Sequence, residues 1–396
     1  MKPEDVGTPI APVSPVALPG VRLDFVDNLR WVMIILVIGM HSAVTYSHLG
    51  RWYFMEDPIP DLPTKILFAA FQTFLQAFFM GFLFLIAGYF LPGAFDRKGF
   101  WKFLQDRAIR LGIPALFYML VIHPVTVYWL LRNFDNSNLP SLIQGYGPYL
   151  SSGKFLRESG PMWFALALLF FSLVYGLIRL LARKAPNVQP DAALPDDSKI
   201  FGLVAVMGLS TFLIRIVQPI GTSVLNMQLC FFSQYVTLFI VGIVCSRQNL
   251  LLRIPYDFGM RWFVQSLSVG SLAWLAIIFG VGYTHSEDNL WGGFTWQSAA
   301  FSFWESFFCV GVCLGMVVLF RDKLNRQGPL AKWLSDNCFS VYLFHPPFLV
   351  AVTLCMRGFF APKPVKFLVA SLLGVVVTYL ASSLVFRRIP FLKRVL

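Results

Sequence analysis

Arg30 and His41 stand at the start of the first long apolar stretch, Trp31 to Leu49, and their types and spacing suit proton transfer beside an anion site. At about 100° and 1.5 Å per residue, eleven helical steps make roughly three turns, so both side chains fall on one face about 16 Å apart. The arginine then sits at a membrane edge and the histidine near mid-depth. An interfacial cation holds an anionic ligand, whereas an imidazole in hydrocarbon accepts a proton, because little else there titrates near neutrality. The plain alternative is a snorkelling arginine and a histidine bonded to a neighbouring helix. Thr45 and His48 follow four and seven residues after His41, extending one polar stripe.

Arg107 and Arg110, three apart on a helical approach to an apolar run, form a two-pronged cationic site. Arginine's planar fork gives phosphate paired, charge-assisted hydrogen bonds. A general excess of basic residues in cytoplasmic loops accounts for the same charges. Tyr342 and His345 are three apart and precede Pro346 and Pro347, which interrupt regular helix. His123 precedes Pro124, where a bend is the favoured reading, and Arg215 and Glu305 lie inside apolar runs, where an ion pair between them is open. Cys309 and Cys313 share a face without nearby ligands, which reads as packing rather than a metal site.

These groups need helices in lipid to position them. With 57% hydrophobic and 13% charged residues in 396, and a mean hydropathy of +0.66, the chain has too little polar surface to close a soluble globule. The expected fold is an all-α integral membrane protein. Ten apolar stretches approach spanning length: Trp31 to Leu49, Phe68 to Leu91, Leu111 to Leu131, Met162 to Ala182, Ile200 to Val217, Leu229 to Ser246, Trp262 to Gly282, Ser298 to Phe320, Cys338 to Met356 and Phe367 to Phe386. They are continuous rather than alternating, which argues for helices over strands.

Ten transmembrane helices would put both termini on one side. With both termini cytoplasmic, 23 of the 32 Lys and Arg fall in inner segments and 8 in outer ones, with Arg215 inside a span. That bias accounts for the net charge of +12 and argues against a nucleic-acid partner. Residues 1–21 contain five prolines and no apolar core, so a disordered cytoplasmic tail is expected ahead of a membrane domain over 22–396. Ala185 to Ser198, rich in Pro and Asp, reads as an inner loop dividing four helices from six. The six cysteines lie in or beside spans, which argues against a disulfide framework. Tyr128, Trp129, Tyr146, Tyr149, Trp291 and Trp296 offer aromatic faces for a glycan, although an interfacial belt is the favoured reading.

Asp27 to Arg30 (DNLR) with His41 eleven residues on, Phe84 to Phe90 (FLIAGYF), Arg107 to Pro114 (RAIRLGIP), Met162 to Phe164 (MWF) and Asn337 to Pro346 (NCFSVYLFHP) together resemble membrane-bound acyltransferase family 3. Its members modify sugars at the bacterial envelope. Arg107 to Pro114, the loop ending at Trp163, and Arg388 to Leu392 (RIPFL) are most similar to the enzymes that succinylate osmoregulated periplasmic glucans. Ala87 stands where many members carry serine, which excludes a hydroxyl role there. A fused hydrolase-like domain, present in some sugar O-acetyltransferases, is missing, so the chemistry is expected within the bundle or with a separate partner.

The resemblance implies a multi-pass protein of the bacterial inner membrane that takes an acetyl or succinyl group from cytoplasmic acyl-CoA to a carbohydrate hydroxyl. Acyl-CoA is then a substrate, with no permanently bound cofactor and no metal; carbohydrate and membrane lipid are the other partners. Arg30, Arg107 and Arg110 would gather the donor's phosphates. His41 would be the general base, and Tyr342 or His345 would orient it or donate to the developing oxyanion. A proton-coupled transporter or flippase is the rival reading, because mid-membrane His, Arg and Glu suit a carrier. Four helices plus six give a carrier poor internal symmetry.

Overall fold

The computed structural model describes residues 23–135, 138–182 and 192–390. The expected tail and the first half of the Ala185 to Ser198 loop lie outside the described residues, as do Lys2, Arg22, Arg183, Lys184, Lys393 and Arg394 of the charge count. Among the described residues, helix is the dominant element and an isolated bridge between Val224 and Met227 is the only extended pairing. Backbone polar groups surrounded by hydrocarbon have no water to bond, so the apolar runs satisfy them internally.

The long helices are α1 (Asp24–Ser47), α2 (Leu62–Gln76) and α3 (Phe79–Arg107), followed by α4, residues 108–135, in which π-turns alternate with α-turns. Then come α5 (Leu142–Ser151), α6 (Trp163–Ala182), α7 (Asp197–Val217), α8 (Phe232–Gln248), α9 (Tyr256–Tyr283), α10 (Trp296–Lys323), α11 (Pro329–Cys355) and α12 (Lys363–Leu384). Among the described residues, nine helical segments are long and apolar enough to cross a membrane, and one of them is the 73-residue run Leu62–Phe134. That run contains two of the ten expected stretches. Within it, Gly99 has φ 68° and ψ 173°, a conformation that breaks α3 before α4 begins and that only glycine adopts without strain. A second break at Ala77 and Phe78 separates α2 from α3, and the Gln234 amide of α8 donates to the Ala77 carbonyl.

α1 runs through the middle and packs against α11, α12, α3 and α10. Its first turn is tied to the loop between α10 and α11. Asn28 donates to the carbonyls of Leu324 at 2.7 Å and Arg326 at 3.1 Å, and the Phe25 N–H to Asn325 Oδ1 at 3.1 Å. α3 and α8 touch backbone to backbone, because a Cβ on Gly88 would lie 2.2 Å from the Phe239 carbonyl oxygen. Small residues permit such contact where lipid supplies no hydrophobic drive between helices.

Arg215 and Glu305 do pair. Arg215 Nη2 lies 2.5 Å from Glu305 Oε2, Nη1 donates to Ser302 at 3.1 Å, and Phe231 and Phe301 face the guanidinium. This pair joins α7 to α10, whereas His41 belongs with the neighbouring apolar group formed by Ile34, Ile38, Tyr118, Met162 and Tyr342.

Candidate active site

The sequence His-Pro-Pro builds one wall of the site. Pro346 has no N–H, so the Tyr342 carbonyl four residues earlier loses its helical donor. His345 Nδ1 fills that vacancy at 2.8 Å. A carbonyl only accepts, so Nδ1 carries the proton and Nε2 is left as a bare lone pair. His345 is fully buried, and its Nε2 has no hydrogen-bond partner among the described residues. Tyr342 sends its hydroxyl proton to the Pro161 carbonyl, tethering α11 to the entry of α6.

His41 comes to the same place from α1. Its ring centroid is 5.4 Å from that of His345 at an interplanar angle of 17°, and Trp52 stacks on it at 3.8 Å and 14°. Trp52 and His345 are themselves nearly parallel, at 6.2 Å and 7°. Among the described residues no hydrogen bond is made by the His41 ring, which is half-buried. His48 leaves the expected stripe. It ends α1 in the left-handed region, φ 57°, and its Nε2–H donates to the Glu56 carbonyl at 2.9 Å. Thr45 hydrogen-bonds back to the His41 carbonyl at 3.3 Å.

The loop carrying Trp52 is pinned at both sides. Lys366 holds the Glu56 carboxylate at 2.7 and 2.8 Å, and the Glu56 N–H donates to the Thr45 carbonyl at 2.9 Å. Next to Trp52, the Tyr53 hydroxyl lies 2.7 Å from that of Tyr118 and 2.9 Å from His123 Nδ1, while His123 Nε2 lies 3.6 Å from Glu158. With a carboxyl on the Nε2 side, Nδ1 accepts from Tyr53 and Tyr53 accepts from Tyr118. Partial burial raises the Glu158 carboxyl above its ordinary range, which Lys154 partly offsets. Burial likewise raises the Tyr53 phenol. His123 therefore joins a polar network in addition to preceding Pro124, where the chain stays helical. Pro124 supplies no N–H to the turn before it, and Tyr149 and Tyr146 donate to the carbonyls of Met119 and Leu120 at 2.7 and 2.9 Å.

At the other end of α1, Arg30 pairs with Asp27 at 3.1 Å and lies over the Phe90 ring, with its side chain 41% exposed. Arg107 is half-buried against Phe103 and within electrostatic reach of both Arg110 and Arg30, and Arg110 is exposed. The fold thus gathers the sequence-derived residues into two groups, one around each of two positions on α1. His41, His345 and Tyr342 form one; Arg30, Arg107 and Arg110 form the other. About 16 Å of α1 separates Arg30 from His41. Among the described residues no three His, Cys, Asp or Glu side chains converge as a metal site.

Sequence reasoning missed Trp52, Tyr53, Tyr118 and Glu158. A tryptophan and tyrosine just beyond a spanning helix look the same as an interfacial belt. Tyr53 meets His123, 70 residues on in sequence, and Trp52 lies parallel to His345, far beyond that.

The chain was compared with known proteins. The model of the family described as "Acyltransferase domain" matches residues 23–387. The proteins named Glucans biosynthesis protein C of Salmonella schwarzengrund (strain CVM19633) and Salmonella heidelberg (strain SL476) are each 24% identical to it over 398 residues, covering 95% of this chain and 95% of theirs. No solved structure matches.

Proposed function

This chain belongs to the acyltransferase family whose domain spans residues 23–387, and on that premise we propose that it moves an acetyl or succinyl group from cytoplasmic acyl-CoA to a hydroxyl of a glucan-like carbohydrate, with His41 as the general base. The observation that carries the reading is the His41 ring, stacked on Trp52 and beside His345 yet free of hydrogen bonds among the described residues. A base needs an uncommitted lone pair within reach of the proton it takes. The name shared by the relatives supports a glucan as acceptor.

Arg30, Arg107 and Arg110 bind the donor's phosphates, and the pantetheine arm runs along α1 toward His41. The acceptor hydroxyl attacks the thioester carbonyl as His41 removes its proton, a contribution of about 10² to 10⁴ in rate. His345 Nε2, an obligate acceptor on the ring beside His41, stabilises the imidazolium that forms, as a carboxylate does in a hydrolase triad. Tyr342 acts through His345 by supplying the carbonyl that fixes its tautomer. The break at Gly99 supports two crossings within Leu62–Phe134, hence ten in all and both termini on the cytoplasmic side of a bacterial inner membrane. The donor end of α1 then faces the cytoplasm.

The test is incubation of purified protein with labelled acetyl- and succinyl-CoA, with and without a periplasmic glucan. Acceptor-dependent thioester loss, with label appearing in the glucan, is the expected result. Loss of neither thioester in the presence of acceptor overturns the reading.

A further inference from the structure

Resting on the transfer proposed above, a second requirement of the chemistry has no residue yet: a donor for the negative charge that builds on the thioester oxygen. The rings around His41 narrow the choice. His345 shows that space a lone pair, because its only ring proton is spent on the Tyr342 carbonyl. Tyr342 has spent its hydroxyl proton on Pro161. His41 must stay unprotonated to act as base. Trp52 remains, and an indole N–H only donates.

Trp52 Nε1 is buried and has no hydrogen-bond partner among the described residues. Among the described residues, the other buried N–H groups in that condition belong to Arg179, Arg215 and Trp274, and only Trp52 touches His41. An unpaired buried N–H is destabilising, which a phenylalanine at the same position would avoid. The loop bearing it is nevertheless held at three points, by Glu56 to Lys366, by His48 to Glu56, and by Tyr53 to Tyr118 and His123. Such anchoring is what preorganised donors require, since a donor that reorients during the reaction gives up most of its effect.

We infer that Trp52 is a catalytic residue whose Nε1–H holds the oxyanion of the tetrahedral intermediate. The acceptor oxygen bonds to the thioester carbon, the carbonyl π electrons move to oxygen against Trp52, and the hydroxyl proton passes to His41. Collapse restores the carbonyl, breaks the carbon–sulfur bond and returns the proton from His41 to the departing thiolate. An ester and free coenzyme A thiol result.

The experiment compares wild type, Trp52→Phe, and protein carrying 3-benzothienylalanine at position 52, which keeps the fused rings and puts sulfur in place of N–H. His41→Ala is run beside them. Removing one oxyanion donor should lower kcat by about 10² to 10³ in both Trp52 replacements, with the donor KM little changed. If benzothienylalanine restores the rate that phenylalanine loses, the stacked face rather than the N–H matters and the assignment is overturned. Wild-type kcat in both replacements overturns it too, provided His41→Ala is inactive. Full activity in His41→Ala would instead remove the transfer mechanism on which Trp52 depends.

Discussion

Replacing Pro346 by alanine should slow the enzyme without weakening the fold. The Tyr342 carbonyl is open to His345 Nδ1 because proline supplies no N–H there. Alanine restores that N–H, and two donors then compete for one carbonyl. Pro347 remains and still supplies no N–H to the Leu343 carbonyl, so the change is local to the Tyr342 carbonyl. A hydrogen bond of this kind contributes about 0.5–1.5 kcal/mol net. If all of it is lost from the tautomer that leaves Nε2 bare, kcat falls about 2- to 13-fold. Proline inside a helix costs about 3 kcal/mol relative to alanine, so thermal unfolding in detergent should shift upward or stay unchanged. The assay pairs acyl-CoA turnover in the presence of glucan with a melting curve on the same preparation. Unaltered kcat alongside an equal or higher melting temperature would refute the link between the proline, the His345 tautomer and the reaction.

Two further outcomes follow from other parts of the molecule. Arg110→Ala should raise the donor KM more than it lowers kcat, because the side chain is exposed and binds rather than reacts; a kcat effect larger than the KM effect would move it into catalysis. Glu158 has its carboxyl raised by burial, so the neutral acid is the form the fold favours; its contribution is present below the ordinary carboxylate range and lost as pH rises through the raised value. Glu158→Gln should therefore gain melting temperature over wild type on going from about pH 4 to about pH 7, and a difference that shrinks over that interval would contradict the sign.

The helices were readable in the chain because lipid leaves the backbone no other solution, and continuous apolar runs mark where that condition holds. Arg30, His41 and the His-Pro-Pro segment were readable for a similar reason. A cation, an imidazole or a proline in hydrocarbon is costly, so each stands out against leucine and phenylalanine. What stayed hidden was pairing across sequence distance. Pro346 announces a freed carbonyl, but only the fold shows that its neighbour His345 takes it. His123 before Pro124 looks complete as a bend, and nothing local shows that Tyr53 and Glu158 meet it. Helix limits shifted as well. α1 begins at Asp24, two turns before the apolar run, which places Arg30 inside the helix and lets Asp27 pair with it. His48 was misjudged because helical spacing was carried past Ser47, where the chain turns into the left-handed region.

The most direct test is the rate of acyl transfer to glucan by His41→Ala, with His48→Ala as the control because its ring is engaged by the Glu56 carbonyl. The account predicts a fall of about 10² to 10⁴ for His41→Ala and a far smaller loss for His48→Ala, which removes one of three anchors of the Trp52 loop. A His41→Ala protein that transfers as fast as wild type would contradict it.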